Sequence, residues 1–541
     1  MKADILIISD AIFDSVIGEP FDGYVAVKGE RIAAVGKGDG ADMKGEGTRV
    51  IDARGSTVMP GFHDSHTHLL MSGMYATYPD LSKCRSEEEC VDTMISAYSG
   101  SSFPGSWVIG FGWYHVFWDD RAMPTFESLD RYFHDRPVML LNAEAHGVWV
   151  NSMALEIAGI GPSTPPPPDG EILRLSDGRP SGVLLEGACG LVTRHAYSFA
   201  PEEERGLIRA FMRKASSYGI TSVGDVMPYF HGNMGNLSIY SAMGRSGELD
   251  VRIHAAPDLL GDLDETLEWQ REYASDYLRI SHVKQFLDGV STTHTALLLE
   301  PYADDPGNTG TLLFPLKGIG KAVPEAHRRG LSVRLHACGD ASARFALDCY
   351  EKAIEAYGAS GCRHTVEHCE LIAPGDIARF GKLGVLPSVQ PEHMAITRTF
   401  AGNPYRITMG EERAERTWPL RSLLKSAGHI AIGSDCPVVD NNPFIEIYRG
   451  ITRLHDDGEP SGGWNPAERL TMPEMLHSYT MGSAWCALRE DELGSLEPGK
   501  FADIVVLDRD LFAAMRAEGA EAVKSARAAM TISGGRIVYG G

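Results

Sequence analysis

Val58-Met59-Pro60-Gly61-Phe62-His63-Asp64-Ser65-His66-Thr67-His68 is the stretch on which the fold turns. An apolar lead punctuated by Pro-Gly enters a strand that closes on two histidines. On a strand, residues i and i+2 share a face, so His66 and His68 can reach one ion. An isolated H-x-H is more often packing; its place after a β-rich prelude makes it informative. His63 shares strand parity with neither and reads as a turn residue. Upstream, residues 4–8, 23–28, 31–35 and 48–51 are short β-rich runs broken by glycine-rich turns, with a tight hairpin at 27–32. The same style returns at 501–508, 530–533 and 536–539, the last two flanking a Gly-Gly turn. Both ends of the chain are β; the middle is not.

The middle alternates apolar strands with helical patterns, as βα units around a parallel sheet do. Strands are expected to end near His66, Asp225, Lys284, His336, His368, Ser388 and Asp435, with a further one at 138–142 or 251–255. Helices are expected at 202–217, 324–329, 341–357 and 420–427. Insertions lie between them, including 101–149 and the proline run 165–168, an exposed loop. Three later strands end in ligand-type residues: Leu331–His336, His364–His368 and Ile430–Asp435. Barrel enzymes gather their active sites at that end of the strands. Four elements ending this way, counting the first, are hard to obtain from core packing. His364, at the other end of its strand, reads as structural. Lys284 sits inside an apolar strand, where a lysine must snorkel, pair or be modified. Both a salt-bridged lysine and a carbamate, which could bridge two cations, fit that position.

The whole chain sets limits. It has 541 residues, 43% hydrophobic and 23% charged, which is ordinary for a globular protein and excludes disorder, collagen and coiled coil as the main state. Fifty Lys and Arg against 73 Asp and Glu give a formal charge of −23, unfavourable for nucleic acid or anionic membranes. Nine cysteines without a CxxC pair suit a reducing compartment better than a disulfide scaffold. The start shows no signal-peptide pattern, and no apolar run approaches the roughly 18 residues of a membrane span. The expectation is a cytoplasmic protein.

The chain resembles the amidohydrolase superfamily over nearly its whole length, and within it the amidohydrolase-3 branch. The resemblance rests on 60–68, 142–155 (NAEAHGVWVNSMAL), 169–186, 282–296 (HVKQFLDGVSTTHTA), 336–340 (HACGD), 365–368, 389–393 (VQPEH), 433–438 (GSDCPV) and 496–508. It departs from the branch's common pattern at 142–145 and around His294. The resemblance implies an α/β chain: a (β/α)8 TIM barrel over 59–484, with insertions at about 70–135 and 160–185, and a β-sandwich domain from both termini, 1–58 and 485–541. It implies that His66, His68, His336 and His368 are metal ligands, that Lys284 is a carboxylated lysine, and that Asp435 is both the catalytic aspartate and a ligand. A homodimer is common in the superfamily.

Imidazole and carboxylate ligands suit zinc, and also manganese, iron or cobalt, as one or two ions. The expected activity is a metal-dependent hydrolase cleaving a C–N amide bond, an N-acyl or N-formyl amide of a small molecule, by attack of metal-bound hydroxide. Asp435 would take the proton and pass it to the leaving nitrogen. His146 and His393 are candidate substrate-binding residues, and Glu186 and Asp288 candidate orienting carboxylates. Cys338 and Cys436 read as small buried residues. Trp107, Trp113, Tyr114, Phe117 and Trp118 read as local core, with some lining an apolar pocket. A deaminase would be expected to show H-x-x-E after the strand-five histidine, but Ala337-Cys338-Gly339-Asp340 follows His336. Cyclic-amide, ester or lactone hydrolysis on the same scaffold is an alternative. A non-catalytic binding or assembly protein is an alternative of another class.

Overall fold

The structure, a computed structural model, describes residues 1–540 except 17, 101–105, 144–145, 168–169, 229–233 and 313–314, and the side chain of 117. Glu144, Ala145, Pro168, Asp169 and the Phe117 side chain therefore lie outside the described residues.

The protein is α/β, and its chain divides into two compact units: 1–69 with 212–541, and 70–211. In the first unit, nine strands run in two parallel sets. The first set comprises β1 (Phe62–Thr67), β2 (Ile220–Val226), β3 (Arg252–Ala256) and β4 (Leu278–Ile280), in the order β4-β3-β2-β1. The second comprises β5 (His282–Phe286), β6 (Ser332–Ala337), β7 (Thr365–His368), β8 (Leu386–Val389) and β9 (Ala431–Ile432), in that order. Two single bridges link the sets: Thr67 to Cys436, and Asp258 to Lys284. Nearly every strand residue in these sets is buried, as expected for parallel strands covered on both faces. Helices Pro201–Ser217, whose first eleven residues fall in the second unit, Leu316–Arg328, Asp340–Tyr357 and Leu420–Ala427 follow in chain order. The first and the third each run one residue longer than the expected span. Leu316–Arg328 begins earlier than 324, because Pro324 sits inside the helix and does not open it.

An eight-stranded sheet unites the two chain ends. Thr57–Pro60 pairs antiparallel with Ile504–Leu507 and parallel with Ile5–Ile12. Its core includes Ile7, Val25, Val27, Val58, Ile504 and Ile532. Pro60 then feeds directly into β1. Gly61 is required there: a Cβ would stand 2.3 Å from Thr221 Oγ1. The buried Arg252 of β3 grips Asp503 through two bonds, Nε to Oδ2 at 2.7 Å and Nη2 to Oδ1 at 2.9 Å. That fork fixes this sheet against the parallel strands.

The second unit has its own five-stranded sheet, in the order Gly170–Arg174, Pro180–Glu186, Gly147–Val150, Val138–Asn142, Val108–Trp113. Its core holds Trp113, Trp118 and Trp149. The two candidate strands are thus both real, one in each unit. All nine cysteines are free. No helix of the described residues is long and apolar enough to cross a membrane.

The first unit buries several histidines as neutral rings. Burial lowers His63, His282 and His364 to about 3. His63 is no turn residue: it lies in β1, 3% exposed, stacked on His254 at 4.7 Å. The opposite strand parity that separates it from His66 turns it toward β3. A histidine neutral in the fold but free to charge when unfolded makes the unfolded chain bind more protons below its ordinary value of about 6.5. Stability should then be complete above pH 6.5 and fall as pH drops toward 3, by up to about 1.4 kcal/mol per histidine per pH unit. Urea unfolding of chelator-treated protein at pH 7 and pH 5 tests this. Replacing His282 by asparagine should flatten the pH slope, and an unchanged slope would refute the assignment.

Candidate metal centre

β1 and the turn after β9 meet first. His66 Nε2 and His68 Nε2 lie 3.2 and 3.3 Å from Asp435 Oδ1. The backbone locks this meeting: Asp435 N donates to the His66 carbonyl at 2.7 Å, and His68 N to that of Cys436 at 2.9 Å. Gly433 makes the approach feasible, since a Cβ would fall 2.5 Å from His66 N. Asp435 and His368 both hold left-handed backbone, with φ of 59° and 71°. Such conformations cost about 1–3 kcal/mol each and persist only where the surroundings over-determine them.

β6 and β7 add His336 and His368, whose rings stand 4.2 Å apart; His66 and His368 stand 4.9 Å apart. His368 Nδ1 is 4.0 Å from Asp435 Oδ2. The turn after β8 brings in His393, with Nε2 3.8 Å from the same oxygen. β5 contributes Lys284, fully buried. Of the expected ligands, His66, His68 and Asp435 form one group, and His336 and His368 join Cys338 in a second; in each, one donor atom per residue lies within 4.8 Å of the others. His368, His393 and Asp435 form a third such group.

The donor set fits a cation. Two ligand atoms about 2.0–2.1 Å from a tetrahedral ion stand about 3.3 Å apart, close to the His66, His68 and Asp435 spacings. Both ring nitrogens of His368 and Lys284 Nζ are buried without hydrogen-bond partners among the described residues. Orphaned buried groups cost about 1–3 kcal/mol each, a cost that a ligated ion removes. Electrostatics agree. Burial would raise Asp435, but His66, His68 and His368 outweigh it and hold the carboxyl well below the usual range. Burial, then Lys284, lowers His336 to about 3, leaving a neutral ring. Burial lowers Lys284 to about 8 against the pull of Glu367.

The chain behind His66 is absent from the sequence reading. His66 Nδ1 meets Glu367 Oε2 at 2.5 Å, Arg334 Nε donates to Glu367 Oε1 at 2.5 Å, and Arg334 Nη2 donates to the Ser65 carbonyl at 2.8 Å. Glu367 thus orients the His66 ring. Its trace in the sequence is slight: Arg334 and Glu367 each stand one or two residues before an expected ligand histidine. Glu370 is a second unforeseen acid. Burial raises it to about 8, it accepts from Tyr405 Oη at 3.0 Å, and His393 Nδ1 lies 4.0 Å away.

Other expected residues take different places. Asp288 Oδ1 is 3.7 Å from His336 Nε2, beyond hydrogen-bond reach. Asp288 instead accepts from the Leu297, Cys338 and Gly339 amides and from Ser342 Oγ, clamping the turn after β6. His294 pairs with Asp304 at 2.9 Å. His364 Nδ1 accepts from Val333 N at 3.1 Å, and its Nε2 lies 2.9 Å from His327 Nδ1. Cys436 is buried and lends its carbonyl to His68 N. His146 and Glu186 belong to the second unit, paired at 2.8 Å. They line a cavity of about 450 Å³ with Trp113, Tyr114 and His115.

Fold and site define a class: an α/β protein with a buried histidine–carboxylate centre at the C-terminal ends of parallel strands. The chain belongs to the amidohydrolase family, whose model matches residues 49–539. This makes it a hydrolase acting on carbon–nitrogen bonds. It is 32% identical to Protein LONG AFTER FAR-RED 3 of Arabidopsis thaliana, over 93% of this chain and 87% of the relative. It is 28% identical to N-substituted formamide deformylase of Arthrobacter pascens, over 90% of each. An uncharacterized metal-dependent hydrolase from Pyrococcus furiosus superposes with a TM-score of 0.75 at 28% identity, covering 93% of this chain and 99% of that one.

Glu367→Gln should weaken metal retention about 10–100-fold while leaving the ligands in place. Competition with a chromophoric chelator measures this, and an unchanged affinity would remove Glu367 from the orienting role.

Proposed function

We propose that this chain is a metal-dependent hydrolase of a small-molecule amide, an N-acyl or N-formyl amine, releasing a carboxylic acid and an amine. The observation that carries the reading is the meeting of His66, His68 and Asp435 at 3.2 and 3.3 Å beside the unpartnered His368 and Lys284. Support for the bond type comes from the formamide deformylase relative. His66, His68, His336, His368 and Asp435 would hold one or two divalent ions, zinc foremost, with manganese, iron or cobalt also suited to these donors. Lys284 Nζ, buried and without a hydrogen-bond partner among the described residues, would join them as a carbamate ligand. A divalent ion in this centre supplies a nucleophilic water near neutral pH and a Lewis acid for the carbonyl.

The residues divide the remaining work. Asp435 is ionised, and its Oδ1 faces His66 and His68, which leaves Oδ2 for proton traffic. It takes a proton from the attacking water and returns it to the nitrogen as the C–N bond breaks, because an amine anion departs poorly. His393, whose burial disfavours the charged ring and whose Nε2 is 3.8 Å from Oδ2, would donate to the substrate carbonyl or carry the proton outward. The scaffold reading is that the two parallel sets are one (β/α)8 barrel, with β4 and β5, parted only by Ser281, counting as one of its eight strands. The Thr67–Cys436 and Asp258–Lys284 bridges support it, and the sheet of both termini would belong to a β-sandwich domain over 1–58 and 485–541.

Metal-loaded protein should hydrolyse at least one compound in a screen of N-formyl amines, N-acyl amines, esters and lactones. Asp435→Asn should lower kcat at least about 10²-fold with metal still bound, since positioned proton transfer contributes about 10²–10⁴. Metal analysis and steady-state rates check both. Near-normal turnover by the Asp435→Asn variant would end its assigned role; protein that binds no transition metal would end the reading.

A further inference from the structure

Cys338 carries chemistry that the proposed hydrolysis does not use. It stands two residues after His336 at the end of β6 and is 1% exposed. Its Sγ is 3.4 Å from His336 Nε2. On a tetrahedral ion, a nitrogen at about 2.0 Å and a sulfur at about 2.3 Å stand about 3.5 Å apart. The spacing therefore matches one edge of a mixed nitrogen–sulfur site. His336, Cys338 and His368 each offer one donor atom within 4.8 Å of the others, all buried.

Two further observations separate this from a small residue filling space. The backbone of Cys338 is held on both sides, its N donating to Asp288 Oδ1 at 3.2 Å and its carbonyl accepting from Leu371 N at 3.0 Å. Asp288 also accepts from Gly339 N and Ser342 Oγ of the same turn, so the backbone that carries the Sγ sits in a rigid frame. Independently, His368 is 2% exposed and neither of its ring nitrogens has a hydrogen-bond partner among the described residues. A thiol–imidazole contact between Cys338 and His336 alone leaves His368 unsatisfied; a cation shared by the three would take up one of its two ring nitrogens.

We propose that Cys338 is a metal ligand, its sulfur joining His336 and His368 on one divalent ion. The proposal rests on the metal-dependent reading above and gives one of its positions a thiolate. Coordination breaks the S–H bond and forms the metal–sulfur bond, and the proton leaves to solvent. A thiolate shifts this position toward zinc, cobalt and iron and away from manganese, which prefers oxygen donors.

Cobalt(II) added to chelator-treated protein tests this without reference to turnover. The wild type should show visible d–d bands together with a near-ultraviolet sulfur-to-cobalt charge-transfer band. Cys338→Ser should lose the charge-transfer band and keep visible bands from the His66, His68 and Asp435 position. Cys349→Ser, on the helix Asp340–Tyr357, should keep both. Circular dichroism confirms that the variants are folded. As a second readout, wild type should release one more proton than Cys338→Ser at saturation, measured by calorimetry in buffers of different ionisation heat. Visible bands without a charge-transfer band in the wild type, or a band that survives Cys338→Ser, would overturn the ligand assignment alone. Absence of all cobalt bands would overturn the metal reading as well.

Discussion

The Arg334–Glu367–His66 chain is the interaction on which the centre depends. Its guanidinium, carboxylate and imidazole are each 2% exposed or less. Isolated charges in such a place would cost several kcal/mol apiece. Together they hold one another: burial raises Glu367, but Arg334 and His66 outweigh it, so the carboxylate stays ionised. Arg334 also grips the Ser65 carbonyl, so one guanidinium holds the backbone just before His66 and, through Glu367, the orientation of its ring. Removing any one member would strand the others, which ties ligand geometry to fold stability.

Around that chain, division of labour follows from strand geometry. The last side chains of neighbouring parallel strands point into one space, so few residues suffice to crowd nitrogen and oxygen donors together. The turns then need special backbone. Gly433 lets β9 approach His66, and left-handed Asp435 and His368 aim their side chains where regular strand geometry would not. Asp288 shows the opposite solution, a carboxylate consumed by four hydrogen bonds from three backbone amides and Ser342 Oγ, with none from a ligating side chain.

Much of this was legible in the chain. His66, His68, His336, His368 and Asp435 were found from their places at strand ends, and the structure brings them together. Glu367 was not, because its partner His66 lies 301 residues away and a lone acid in a strand says nothing about what it faces. His63 was misread because a three-residue offset looks like a turn, whereas β1 begins at Phe62 and simply turns His63 to its other side. Residues 138–142 and 251–255 could not be told apart, since an apolar run does not encode which sheet receives it. Pro324 misled for a related reason: a proline favours a helix start locally, but packing keeps Leu316–Arg328 helical through it.

The sheet that unites the two chain ends has a consequence for the order of assembly. Thr57–Pro60, which leads into the first ligand strand, is flanked on one side by Ile504–Leu507, made some 450 residues later. At about 5–20 residues per second, a ribosome takes tens of seconds to deliver that neighbour. During that interval β1 is tethered to a strand with one open edge. Nascent chains would then carry their paired histidines on an incompletely anchored strand until translation is nearly over. The strand that leads into the first ligands thus gains its last backbone neighbour only at the end of synthesis.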